Sequence, residues 1–384
     1  MLNFTHDIPT VVHFGRGQVS HLSSLAECGK TVLAVYGGGS IKRTGVYDAV
    51  MAELSAAGLS VVELPGVAPN PRIESVREGV ALCREKSIDM VLAVGGGSVI
   101  DCAKAIAAGA CYEGDPWDLV ADFRKIEGAL PIFCVLTAAA TGSEMDRIAV
   151  ISDESDHLKL ATFSRALAPR MSVLDPTYTF SVPARQTAAG AADILSHAIE
   201  SYFTPVPGGY LQARMGEAVM KTVVRYAPIA IKEPNDYEAR ANLMWASSMA
   251  INGILSNGAP AQWCVHAIEH ELSAFYDLTH GVGLAILTPC WMDFVLRPET
   301  RAKFAEYGRG VFGISAEDDE EVARLGIART RAFLHDIGMP SSLREVGIDD
   351  ADFDVIAERA ACGCTRGFVP LAKDDVLAIL RAAR

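Results

Sequence analysis

In its first half the chain alternates short, continuously apolar runs with stretches whose apolar residues recur every three to four positions. The apolar runs are residues 31–36, 59–64, 90–94 and 131–136, and the first and third end at glycine. Runs of this kind predict strands buried on both faces, and the stretches at about 42–57, 72–86 and 99–110 predict helices. Residues 11–17 read as a further strand and turn ahead of them. Strands alternating with helices predict a parallel, Rossmann-like sheet covered on both sides. After residue 183 the pattern changes to long segments of helical spacing: 185–203, 210–231, 236–255, 260–275, 299–312, 317–337, 351–361 and 373–383. Pro183 and Pro234 stand at helix starts. The acidic run 317–321 reads as a solvated first turn. The expected division is an α/β domain over 1–182 and an all-α domain over 183–384.

Composition narrows the partners more than the fold. The chain has 384 residues, half of them hydrophobic and 21% charged, which describes a foldable globular protein. Its net charge of −13 repels polyphosphate backbones, so no nucleic-acid partner is expected. The nine cysteines are scattered with no CxxC pair, which excludes a zinc ribbon or a thioredoxin-type motif. Cys362 and Cys364 read as two reduced thiols. The N-terminus has no basic segment followed by an apolar one, and no uncharged apolar run reaches the ~18 residues of a membrane span. A cytoplasmic protein with no membrane partner is expected.

Two strand–helix junctions carry the same four residues. Gly37, Gly38, Gly39 and Ser40 follow the first apolar run, and Gly95, Gly96, Gly97 and Ser98 follow the third. Glycines there let backbone N–H groups approach a phosphate, and a helix N-terminus adds a favourable dipole. Neither loop is GxGxxG, and glycine-rich turns also arise for steric reasons alone. Asp101 and Lys104 follow in the first turn of the next helix. They read either as a surface i,i+3 pair or with Asp101 beside a cofactor. A small-residue segment containing Thr137 and Thr141 follows the fourth run.

The second half holds a set of metal-ligating side chains. Asp193 and His197 lie four apart, as do His266 and His270, and His280 follows just before Gly281. Spacing of four puts two side chains on one helix face. A carboxylate and neutral imidazoles suit Fe(II), Zn(II) or a similar ion with one position left open. One Asp/His pair alone is more often a surface hydrogen bond. Spacing leaves open which four of the five bind.

The motifs together resemble the iron-containing (group III) alcohol dehydrogenases, within them the NADPH-dependent aldehyde reductase and butanol dehydrogenase branch. The resemblance runs through Phe14 to Gly17, the 37–42 and 95–104 segments, Pro69 to Pro71, Thr141 to Glu144, Asp175 and Pro176, and the Asp193, His197, His266, His270 and His280 set. It implies a dehydroquinate-synthase-like fold: a nicotinamide-binding α/β domain followed by a helical metal and substrate domain. It implies Asp193, His197, His266 and His280 as ligands of one Fe(II) or Zn(II), with His270 close by but outside the coordination sphere. The 95–98 loop would cradle the pyrophosphate. Thr137 and Thr141 match cofactor-contacting hydroxyls, Asn70 a residue near the adenosine, and Lys159 a lysine near the nicotinamide ribose. Three alanines at 138–140 depart from the polar segment many members have there. A homodimer using residues 1–17 is also implied.

The expected reaction is hydride transfer between NADP(H) and a small alcohol or aldehyde, with aldehyde reduction favoured. His270 is the candidate proton relay, a His one turn from a ligand, and a metal-bound water with no side-chain relay is the alternative. NADP(H) is expected over NAD(H) because NAD-preferring members carry an Asp at the position of Gly39. Ser40, Lys42 and Arg43 are instead available to a 2′-phosphate, while Asp115 or Glu63 could oppose this. The alternatives are a polyol dehydrogenase or a dehydroquinate-synthase-like lyase. A lyase acting on a phosphorylated acid needs cations, and residues 251–290 contain no Lys or Arg. Trp263, Phe275, Tyr276 and Trp291 suit an apolar pocket, or simply a core.

Overall fold

A computed structural model describes all 384 residues. Internal packing divides the chain into two units. One comprises Asp7–Val182 with Pro234–Ser248, and the other Met1–His6, Pro183–Glu233 and Met249–Arg384.

The first unit is built on a six-stranded sheet. Its strands are β1 (Val11–Phe14), β2 (Thr31–Tyr36), β3 (Ser60–Leu64), β4 (Met90–Gly95), β5 (Ile132–Leu136) and β8 (Met171–Leu174). They lie in the order β1-β8-β5-β4-β2-β3, and every neighbouring pair is parallel. The remaining strands, β6 (Ile148–Asp153) and β7 (Leu158–Phe163), form a separate antiparallel hairpin. The helices of this half are α1 (Ser40–Arg43), α2 (Val46–Ala56), α3 (Ile73–Glu85), α4 (Gly97–Ala110) and α5 (Trp117–Ala121).

The central strands β4 and β5 are buried along their whole length, as apolar runs without alternation require. On one face Leu33 and Val91 pack with Val76 and Val80 of α3 and Ile100 and Ile106 of α4. On the other, Val32, Leu92 and Phe133 pack with Leu22 and Leu25 of a 3-10 segment and Val50 and Leu54 of α2. Each such side chain contributes about 1.5–3 kcal/mol on burial. The chain leaves β2 towards β3 on one side and returns to β4 on the other. The strand order therefore reverses between β2 and β4, which is where open α/β sheets form their binding crevice. Both GGGS loops stand at the C-terminal ends of these two neighbouring strands.

The hairpin β6–β7, the short strand β8 and α5 have no counterpart in the sequence expectations. Strand β8 is only four residues long yet sits between β1 and β5. Helix α8 (Tyr237–Ile251) packs for most of its length with the sheet unit. Trp245 meets Phe14 edge-on at 5.9 Å, Arg16 lies over the Tyr237 ring, and the Ser248 hydroxyl donates to Glu144.

The second unit is helical: α6 (Ala184–Tyr202), α7 (Tyr210–Lys232), α9 (Cys264–Tyr276), α10 (His280–Val295), α11 (Arg301–Phe312), α12 (Asp319–Asp336), α13 (Phe353–Cys364) and α14 (Lys373–Ala382). The acidic run at 317–321 starts α12, where the Asp318 carboxylate accepts the Glu321 N–H at 3.1 Å. Helix α6 is buried on every face from Thr187 to Tyr202, and α10 nearly so. The two run very close. A Cβ placed on Gly281 would lie 2.0 Å from the Ala189 carbonyl oxygen. Only glycine permits that approach. All nine cysteines are free thiols, with Cys362 exposed and Cys364 buried. No helix is long and apolar enough to cross a membrane.

Candidate metal centre and cofactor loops

Three helices converge on one small polar cluster. Helix α6 carries Asp193 and His197 a turn apart, α9 contributes His266 from its first turn, and α10 begins at His280. One ligating atom from each of the four lies within 4.8 Å of the others. The Nε2 atoms of His197, His266 and His280 stand 3.5, 4.0 and 3.7 Å from Asp193 Oδ1. Ligands held about 2.0–2.2 Å from a common ion in tetrahedral array are separated by roughly 3.4 Å. The spacing therefore suits one ion.

The electrostatics suit a cation. Burial and the neighbouring imidazoles push His197 well below its ordinary pKa, so it is a neutral, lone-pair-bearing ring. At His266 burial acts in the same direction, but the carboxylates led by Glu200 outweigh it and raise the proton affinity. A site that draws a proton in this way also draws a divalent ion. His266 Nε2 is buried with no hydrogen-bond partner. Such an atom costs free energy unless something coordinates it. The residues present fit a metal.

Two glutamates that the sequence reading passed over complete the surroundings. Glu200 accepts from His266 Nδ1, and Glu269 from His280 Nδ1. Both carboxylates are buried. Their spacing was the available signal: Glu200 lies three residues after His197 on α6, and Glu269 three after His266 on α9. His270 lies one turn from His266, its ring 5.4 Å from that of His280. Of the four aromatics suggested for a pocket, Trp263 meets His266 edge-on at 5.2 Å. Trp291 packs on Phe203, Tyr276 donates to Asp352 and Phe275 lies beneath Arg359.

In the sheet unit the structure brings the loops together. Thr137 N–H donates to the Gly95 carbonyl at 3.0 Å, and a Cβ on Gly97 would collide with the Thr141 hydroxyl at 2.3 Å. Gly39 caps α1 with φ +88°, a left-handed backbone. The segment leading to Asn70 joins the first loop, with Gly66 N–H donating to the Gly37 carbonyl at 3.2 Å. Lys159 is buried on β7, on the hairpin and not at the sheet edge.

Asp101 and Lys104 are not the surface pair that spacing allowed. Asp101 accepts from the Ser143 hydroxyl at 2.6 Å and the Val150 N–H at 3.0 Å. Lys104 is fully buried against Asp146, Ser143 and the Ile148 carbonyl. Burial raises the Asp101 carboxyl to about 6. Of the acids that could oppose a 2′-phosphate, Asp115 is paired with Arg77 at 2.9 Å. Glu63 accepts from Tyr36 and Tyr47, with Lys42 3.8 Å away.

Two family models cover nearly the whole chain. Residues 9–176 match "Iron-containing alcohol dehydrogenase", and 187–384 match "Fe-containing alcohol dehydrogenase family, C-terminal". The chain belongs to the iron-containing alcohol dehydrogenase family. This dehydrogenase is 52% identical to the NADH-dependent butanol dehydrogenase A of Clostridium acetobutylicum over 99% of each chain. It is 39% identical to the NADPH-dependent aldehyde reductase YqhD of Escherichia coli, covering 94% of this chain and 93% of that one. The crystal structure of NADH-dependent butanol dehydrogenase A from Thermotoga maritima superposes with a TM-score of 0.95 at 40% identity, over 100% of this chain and 99% of the other. The protein is a metal-dependent alcohol dehydrogenase or aldehyde reductase with a nicotinamide cofactor and a divalent metal site.

Proposed function

We propose that this enzyme reduces small, uncharged aldehydes of about the size of butanal, using NADP(H). The observation that carries the reading is the convergence of Asp193, His197, His266 and His280 on one point. These four would hold one Fe(II) or Zn(II). When bound, the nicotinamide supplies the hydride and the ion polarises the carbonyl oxygen. The α/β portion, residues 1–182, binds the cofactor, and residues 183–384 bind metal and substrate. Gly37 to Ser40 and Gly95 to Ser98 present backbone N–H groups to the cofactor phosphates, with Thr137 and Thr141 flanking them. Asn70 and Lys159 contact the adenosine and ribose ends, and Asp101 holds the Ser143 turn beside the loop. His270 moves the proton to the product oxygen. The absence of Lys and Arg over 251–290 supports an uncharged substrate over the phosphorylated acid of a lyase. The working assembly is a homodimer through residues 1–17.

Two features support NADP(H). No carboxylate stands at Gly39, and Glu63 is already engaged by two tyrosines and Lys42. A second reading, NAD(H), draws on the cofactor named for the relative at 52% identity. Comparing kcat/KM for NADPH and NADH with butanal separates them, in wild type and in Gly39→Asp. Asp tolerates a left-handed backbone and would meet open space at 39. NADPH should be favoured by at least ~10-fold in wild type, about 1.4 kcal/mol, and the preference should collapse in the variant. Equal use of both by wild type, or an unchanged ratio in Gly39→Asp, refutes the cofactor assignment. No turnover of butanal with either cofactor refutes the substrate class.

A further inference from the structure

We propose that Glu200 and Glu269 are positioning residues of the metal centre, each holding the Nδ1 side of one imidazole so that its Nε2 lone pair faces the ion. The inference rests on the ligand assignment proposed above. A neutral imidazole has one N–H and one lone pair, and whichever nitrogen meets an acceptor keeps the proton. A carboxylate only accepts. Glu200 against His266 Nδ1 and Glu269 against His280 Nδ1 therefore fix both rings with the proton on Nδ1. Their Nε2 atoms are then the lone-pair atoms, and these are the ones that approach Asp193 at 4.0 and 3.7 Å.

The arrangement is a cross-bracing of three helices. Glu200 sits on α6 with Asp193 and His197, yet its carboxylate reaches α9. There it also accepts the backbone N–H groups of Val265 at 2.7 Å and His266 at 3.1 Å. Side chain and backbone of His266 are thus held by one group. Glu269 sits on α9 and holds His280 of α10. Its other oxygen takes the Ser273 hydroxyl, which also lies 2.9 Å from the Leu278 carbonyl. Each brace comes from the preceding helix of the cluster. Gly283 leaves room for the second brace, since a Cβ there would lie 2.7 Å from Glu269 Cγ. No carboxylate holds the Nδ1 side of His197, where the buried nitrogen has no hydrogen-bond partner. The two braces also add negative charge behind the donors, which strengthens their hold on a divalent ion.

The substitutions differ in what they remove. In Glu269→Gln the amide oxygen still accepts from Nδ1 and the NH2 can donate to Ser273, which passes its proton to Leu278. Hydrogen bonds survive and charge is lost. Glu269→Ala loses both. In Glu200→Gln two atoms face three N–H donors, and an amide accepts on one side only. Holoenzyme is stripped with a chelator, titrated with Co2+ against a chromophoric competitor, and its visible Co2+ absorption recorded. The expectation is about 10-fold weaker binding for Glu269→Gln and about 100-fold for Glu269→Ala and Glu200→Gln. The visible band should shift, and the metal-free Tm of Glu269→Gln, whose hydrogen bonds survive, should stay close to that of wild type. Glu269→Gln decides the matter if the other two fail to fold. Wild type binding Co2+ while all folded variants stay within twofold of it, with an unchanged band, overturns the bracing role. A metal-free Tm of Glu269→Gln that falls in step with its affinity overturns it too. Wild type that fails to bind Co2+, or a His280→Ala control that binds it as tightly as wild type, overturns the ligand assignment itself.

Discussion

Gly281→Ala adds one methyl group at the point where α10 starts, one residue from His280 and opposite the helix bearing Asp193. The new Cβ would lie 2.0 Å from the Ala189 carbonyl oxygen, 2.7 Å from its carbon and 3.1 Å from its Cα. All three are backbone atoms of a helix buried on every side, so no side chain can swing away. Restoring ordinary contact at 3.4 Å requires the helices to part by about 1.4 Å. Metal–ligand distances tolerate about 0.2 Å. A separation several times larger moves His280 out of reach of an ion held by Asp193 and His197. Overpacking of this kind costs about 1–3 kcal/mol of fold stability. For a unit of this size that is a fall in Tm of roughly 2–12 °C. The metal contribution should vanish in addition, worth about 4 kcal/mol at a thousandfold excess over Kd. Melts with and without Zn2+, together with metal content after dialysis, separate the two losses. Gly128→Ala, where nothing lies within 4 Å of the added Cβ, is the matched control. A Gly281→Ala protein with wild-type metal content and a Tm within a degree of wild type would show that the close approach of α6 and α10 is not what holds His280 in place.

Three further outcomes are expected. His266→Ala or His280→Ala should strip the metal and abolish turnover while circular dichroism stays near wild type, and full activity in a metal-free His280→Ala protein would refute the ligand role. His270→Gln should retain metal but lower kcat by about 10²–10⁴ and alter the pH–rate profile, and an unchanged profile would refute the relay. Glu144 is fully buried, and burial raises its carboxyl from 4.5 to about 7. The fold holds this proton more tightly than the unfolded chain does, so stability is lost as pH rises from the ordinary carboxylate range through about 7. The shift of about 2.5 units corresponds to roughly 3 kcal/mol as an upper bound. Glu144→Gln should gain on wild type by up to that amount between pH 5 and pH 8 in chemical denaturation, and a pH-independent difference between the two proteins would show that Glu144 ionises freely.

The elements most legible in the sequence were those with one strong pattern. Strands β2, β4 and β5 read as apolar runs because the parallel sheet buries both of their faces, and α6 and α9 read from apolar residues recurring every three to four positions. Helix α10 escaped because it is apolar nearly all round, holds Gly281, Gly283 and Pro289, and so shows no helical period. Strand β8 escaped through its length of four residues. The hairpin β6–β7 has one partly exposed strand, and its placement depends on Asp101 and Lys104, whose buried partners lie about 40–50 residues away. Spacing along a helix cannot reveal such partners. The same limit applies at the cluster: His266 and His280 were visible as residue types, whereas spacing put Glu200 and Glu269 beside ligands on their own helices but could not show that each holds a histidine of the next.

The fit of Gly97 against Thr141 decides which of the two glycine loops can be rebuilt. Around Gly38 and Gly39 an added Cβ meets open space, so substitutions there change chemistry without moving neighbours, at the modest cost of the left-handed backbone at Gly39. At Gly97 any side chain must displace the segment that follows β5, so a tolerated change there requires a smaller residue at 141 in the same molecule. A library aimed at altering coenzyme preference should therefore vary Gly38 freely, confine Gly39 to residues that accept a left-handed backbone, and treat 97 and 141 as a single position with paired alleles.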